Sequence, residues 1–224
     1  MVQLSLKQGL KQFGDRGRDA VSAELQQIHM KQTFTPSDFK ALTKEQRGRV
    51  LESLIFLEEK RSGKIKGRIC ADGRKQRKWT PKEDAASPTI MTDSILLTTA
   101  MDSAEHREVA VIDLPGAFLF AEMDELVHMV MRGELAELMA ATAPEIYRPY
   151  VIYGRNREAM LYVTLQKTLY GCLKSALLFY RKLIQDLQSI GFKLNPYDPC
   201  VANKIIRGRQ FTIGWHIDDL KLSH

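Results

Sequence analysis

Two apolar runs that end in carboxylates constrain this chain more than any other feature. Near the C-terminus, FTIGWHIDDLKLSH has the pattern of an apolar strand over 211–217, a tight turn at Asp218-Asp219 and a return strand from Leu220 to Ser223. In the middle, VAVI at 109–112 forms a short, fully apolar strand of the kind buried on both faces, running straight into Asp113. An Asp-Asp pair alone is ordinary turn chemistry, because Asp side chains bond the local backbone. Asp113 changes its meaning. Three carboxylates at the ends of neighbouring strands can hold divalent metal. Mg²⁺ takes one or two carboxylates and completes its shell with water and substrate phosphate. A pair of such ions can bind both the attacking and the leaving oxygen of a phosphoryl transfer.

Charge adds the second half of the pattern. The net charge of the 224-residue chain is +6, yet residues 60–78 (KRSGKIKGRICADGRKQRK) alone carry nine Lys/Arg against one Asp. That stretch holds +8 and the remainder −2. Basic excess confined to one segment is the footprint expected for a polyanion, and a solvated Lys-rich loop is the plainer alternative.

Other chemistries are missing their motifs. The five histidines show neither HxxxH nor HExxH spacing, and GxSxG, GxGxxG and GxxxxGK[ST] are all absent. Cys70, Cys172 and Cys200 are odd in number and in no CxxC arrangement, so neither a disulfide framework nor a zinc site is expected. No segment approaches the ~18 apolar residues of a membrane span, and the N-terminus lacks a signal-peptide pattern. An intracellular protein with no membrane partner is expected, cytoplasmic or nuclear.

Along the chain, Val21, Leu25 and Ile28 place a helix over 15–31, before a turn at Thr35-Pro36-Ser37. A capping box, Thr43-Lys44-Glu45-Gln46, and the stripe Val50, Leu51, Leu54 and Ile55 predict a second helix running toward Gly63. Residues 1–63 are thus an N-terminal helical region, and 64–224 form the main body. Lys64-Ile65-Lys66 and Arg68-Ile69-Cys70 alternate as strands do and predict a basic β-hairpin. Residues 92–104 suit a buried helix, 133–143 a short helix, and Leu161-Tyr162-Val163 a strand. From Lys174 to Ile190 apolar residues recur at offsets of three and four, with Gly191 just past the end of this helix.

Several blocks, in order, resemble the reverse transcriptase domain of copia-type LTR retrotransposons. KGRICADGRKQR is similar to the fingers segment of that family, and SPT at Ser87–Thr89 to its next block. VIDLPGAFLFAEM resembles the first catalytic-aspartate block, LYGCLKSALLFY the central block, GFKLNPYDPCV the segment after it, and WHIDDL the paired-aspartate block. The likeness runs from about Lys64 to the C-terminus. It implies an α+β right-hand polymerase fold, with fingers and an antiparallel palm sheet, the thumb falling beyond this sequence. It also implies RNA-directed DNA polymerase activity, adding deoxynucleotides to a primer 3′-hydroxyl with two Mg²⁺ ions, or Mn²⁺ in their place.

Carried over residue by residue, the resemblance makes Asp113, Asp218 and Asp219 the catalytic metal ligands. Lys66 and Arg68 become the cations near the triphosphate, although Lys64 or Arg74 could take either role. Phe118, five residues after Asp113, matches the aromatic beneath the sugar that excludes a ribose 2′-hydroxyl, with core packing as the plainer reading. Gly171 and Lys174 fall in the block that contacts template and nucleotide, with Tyr170 packing behind it. The implied partners are an RNA or DNA template with its primer, deoxynucleoside triphosphates, and the integrase and ribonuclease H domains of the element's polyprotein, which associate the chain with DNA integration and retroelement particles. Two departures stand out: His216 replaces an aromatic residue and Ala176 a proline, with the preceding Lys and Gln in altered register. The alternative function is an inactive or domesticated retroelement fragment that binds nucleic acid without polymerising.

Overall fold

The fold is described by a computed structural model covering residues 3–154 and 156–224. In chain order, strand β1 (Gln3–Ser5) leads into helix α1 (Leu6–Met30), then β2 (Phe34–Pro36), α2 (Lys44–Arg49), β3 (Leu51–Glu59) and β4 (Ile65–Ala71). Helix α3 (Thr92–Ala104) precedes β5 (Val109–Asp113), and β6 (His128–Arg132) precedes α4 (Glu134–Thr142) and α5 (Pro144–Tyr147). Strands β7 (Val151–Tyr153) and β8 (Ala159–Leu165) follow, then α6 (Ser175–Ser189), β9 (Lys193–Leu194), β10 (Val201–Ile206), β11 (Arg209–His216) and β12 (Asp219–Ser223).

Among the described residues these strands make two sheets, a mixed α+β architecture. In the first, β3 pairs antiparallel with β4 and β1 and parallel with β6, while β8 pairs antiparallel with β6, β7 and β2. Helix α1 packs on it through Val21, Leu25 and Ile28, spaced so that one stripe of the helix is buried. The helix also shields the outer edge of β4, where the Glu24 carboxylate accepts the Ile69 N–H at 3.1 Å. An edge strand whose donor is occupied in this way is closed to further pairing.

The second sheet has the order β5-β12-β11-β10-β9, antiparallel throughout. Helix α6 covers one face, setting Phe179, Leu183 and Leu187 in one core with Ile213, Trp215 and Leu220. Helix α3 is tied to this sheet by polar contacts. Lys221 on β12 forms an ion pair with the buried Asp102 at 2.6 Å and donates to Thr98 and Thr99, each at 3.1 Å.

Several sequence expectations need correction. The second helix stops at Arg49, and Leu51–Glu59 is a strand. The capping box is present, with Gln46 N donating to Thr43 Oγ1 at 3.2 Å. It initiates a helix that Val50 ends by turning extended. The apolar residues beyond it fit either period, and pairing with β4, β1 and β6 decides for strand. Residues 64–70 accordingly supply a single strand of a hairpin whose partner is β3. Residues 1–63 contain β1, β2 and β3 as well as helices, with Thr35-Pro36 lying in β2. Helix α3 and strand β5 form where expected, but Ile95, Leu96, Leu97 and Val111 are exposed rather than buried. Strand β5 is an edge strand, paired only with β12 among the described residues.

Candidate active site

The register of β5 against β12 sets Asp113 directly opposite Asp219. Asp218 occupies the turn between β11 and β12, and its carbonyl accepts the Leu114 N–H at 3.0 Å, fastening that turn to the chain just beyond Asp113. All three predicted acids therefore meet at one end of the second sheet. Ile217, immediately before them, has φ of 59°. A β-branched residue in that region is strained, by about 1–3 kcal/mol, and such strain collects at functional turns.

Asp113 and Asp219 are exposed and Asp218 is half-buried. Among the described residues no three His, Cys, Asp or Glu side chains close into a ready-made metal cage. The donor set nevertheless suits a hard cation: Mg²⁺ needs one or two carboxylates, and its other ligands come from water and phosphate.

Tyr170 links these acids to the basic strand. The Arg68 guanidinium lies 4.9 Å from its ring centroid, and the Phe118 ring meets it edge-on at 4.6 Å. Burial pushes the Tyr170 phenol above its ordinary range, the Arg68 charge pulls it down, and the charges of Asp218, Glu24 and Asp113 push it up again. Tyr170 thus feels both the cation of β4 and the acids of the second sheet. Phe118 is half-buried, and its ring also meets that of Phe179 edge-on at 6.1 Å.

The remaining predicted residues separate into distinct environments. Lys66 is exposed on β4, next to half-buried Arg68. Burial raises the pKa of the Glu24 carboxyl, opposed by the Ile69 N–H and by the Lys66 and Arg68 charges. Glu24, Gln27, Lys66, Arg68, Gly116 and Tyr170 line a small cleft, which joins the basic strand to the turn after Asp113. Lys174 is drawn elsewhere, into ion pairs with Asp124 at 3.3 Å and Glu125 at 3.7 Å. Arg74 is paired with Asp72 at 2.6 Å and Lys75 donates to the Val50 carbonyl at 3.2 Å, so part of the basic stretch is engaged within the protein.

Gly171 serves a backbone crossing. Its φ is +88°, and a Cβ there would stand 2.0 Å from the Ala71 carbonyl oxygen. Beside it the Ala71 N–H donates to the Tyr170 carbonyl at 2.7 Å, and the Leu173 N–H donates to Gln76 Oε1 at 2.9 Å. These contacts lock the end of β4 to the loop before α6.

Sequence reasoning missed the roles of Glu24 and Gln76 and placed Tyr170 behind the site. Glu24 lies in the region with no diagnostic motif, and only the fold brings it to β4. Tyr170, within LYGC, had a signal in its position beside Gly171.

A family model for reverse transcriptase (RNA-dependent DNA polymerase) matches residues 45–224. A search of curated proteins gave no match. The matched span contains the β5/β12 acids and the β4 cations and covers most of the sequence. The chain belongs to the reverse transcriptase (RNA-dependent DNA polymerase) family.

Proposed function

We propose that the chain is the fingers and palm of a copia-type retrotransposon reverse transcriptase, adding deoxynucleotides to a primer 3′-hydroxyl on an RNA or DNA template. The second sheet is the palm, and the β3–β4 hairpin with α1 forms the fingers. The observation that carries this reading is the β5/β12 register, which sets Asp113 against Asp219 with Asp218 in the adjoining turn.

Asp113, Asp218 and Asp219 would hold two Mg²⁺ ions. Bound there, the ions supply charge neutralisation at the attacking and leaving oxygens. The chain's own residues do the rest by position and charge. Arg68, oriented by the Tyr170 ring, and Lys66 neutralise the triphosphate of the incoming nucleotide, a contribution largest where water is excluded. Phe118, in contact with Tyr170 and Phe179, presents its ring below the sugar and excludes a 2′-hydroxyl. Gly171 keeps the central block close to β4, while Lys174 acts through its acidic partners Asp124 and Glu125.

Primer extension on an RNA template tests the reading. Asp218→Asn should abolish Mg²⁺-dependent extension, and retention of normal extension would remove the acids from the mechanism. Phe118→Val should admit ribonucleotides, and an unchanged preference for deoxynucleotides would return Phe118 to a packing role.

A further inference from the structure

We propose that a pocket beside Trp79, apart from the carboxylate site, takes one unpaired nucleobase of single-stranded nucleic acid. The inference rests on the reading above that the chain engages a template. The pocket encloses about 260 Å³ and is lined in part by Thr43, Arg49, Gln76, Trp79, Glu125 and His128. That volume falls just below the roughly 300–1,000 Å³ of sites for drug-sized ligands, which suits a single planar ring system rather than a whole nucleotide.

Its walls have the chemistry of base recognition. The Arg49 guanidinium lies 5.4 Å from the Trp79 ring centroid and is steadied by Glu45 at 2.9 Å, giving a flat cationic and aromatic wall. Three buried polar atoms of the lining, Gln76 Nε2, Glu125 Oε1 and His128 Nε2, have no hydrogen-bond partner among the described residues. Gln76 is fully buried, and its Oε1 already accepts from Leu173 N, which leaves the amide donor unmatched. His128 likewise has Nδ1 taken by the Thr164 hydroxyl at 3.0 Å. An amide donor, a carboxylate acceptor and a ring nitrogen complement the mixed donors and acceptors on a base edge. Glu45 and Glu125 in the same lining disfavour a phosphate there. Cations for the phosphates stand next in sequence, because Arg77 and Lys78, immediately before Trp79, are exposed and form no ion pair among the described residues. Cations along a strand's backbone with an aromatic surface for its bases are the common design of single-strand binding.

The test uses the whole chain and its own fluorescence. Of its two tryptophans, Trp215 is buried in the second sheet, so Trp79 reports on the pocket. Oligothymidylate should quench the emission, an abasic oligomer of equal length should not, and W79F should remove the quench. W79A should weaken oligothymidylate binding on the order of tenfold, and the double variant R77Q/K78Q should lower the magnitude of the slope of log affinity against log salt by about 1.4. Equal quenching by the abasic oligomer overturns the proposal in the unmodified protein, whatever the variants do. If the wild type binds and W79A binds as tightly, the pocket is refuted while the template reading stands. If the wild type binds neither oligomer, both fall.

Discussion

Replacing Gly171 with alanine should be among the most damaging single-methyl changes in this protein, and the structure separates the reasons. The φ of +88° alone costs a residue with a Cβ about 1–2 kcal/mol. The new methyl would also lie 2.0 Å from the Ala71 carbonyl oxygen, a backbone atom that cannot swing aside like a side-chain tip. Relief requires β4 and the Tyr170–Gly171 loop to part, stretching the 2.7 Å bond from Ala71 N to Tyr170 O. A buried backbone pair left unmade costs about 1–3 kcal/mol more. The sum is roughly 2–5 kcal/mol, equivalent to a fall in Tm of about 4–20 °C for a domain of this size. Gly208→Ala is the control, since its φ is +80° but nothing lies within 4 Å of the added methyl, so it should lose only the conformational part. Urea unfolding of the three proteins measures the difference, which should appear as a lower midpoint at unchanged slope. If Gly171→Ala falls within about 0.5 kcal/mol of Gly208→Ala, the crossing of β4 and the Gly171 loop is not as described.

Three further outcomes are expected. Lys221→Met leaves Asp102 buried without its cation and should destabilise by about 3–5 kcal/mol, whereas adding Asp102→Leu should recover much of the loss; equal losses in denaturant titrations of both would refute the pairing. Because burial holds the folded-state pKa of Glu24 above its unfolded value, ionising it opposes folding as pH rises past the unfolded carboxyl value. Glu24→Gln should therefore stabilise the protein near neutral pH and lose that advantage in acid, and a variant less stable than wild type at neutral pH would reverse the assignment. Burial pushes the thiols of Cys70, Cys172 and Cys200 up to about 11, about 12 and about 12. Iodoacetamide at mildly alkaline pH should label the buried Cys172 and Cys200 only after denaturation, and their rapid native labelling would contradict that burial.

The candidate site was more legible than the fold around it. Asp113, Asp218 and Asp219 were readable because a strand that ends in a carboxylate is a local pattern, and the β5/β12 register then follows from one short hairpin and one neighbour. Helix α6 was legible for a similar reason, since its apolar period and terminal Gly191 lie within one continuous segment. Residues 50–59 were not, because Val50, Leu51, Leu54 and Ile55 satisfy helical spacing while pairing with three other strands rewards the extended form. Burial was misread at VAVI: uniform apolarity suggests two covered faces, whereas β5 is an exposed edge with Val111 73% accessible. Glu24 and Gln76 reach their partners across 45 and 97 residues, a distance over which no local pattern carries information.

The most direct test of the carboxylate site is a titration of the protein with Mn²⁺ and a deoxynucleoside triphosphate, read by electron paramagnetic resonance. The wild type should capture the metal–nucleotide complex, and Asp113→Asn and Asp218→Asn should each release it to solution. Undiminished capture by both variants would contradict the assignment of these acids as the metal-binding centre.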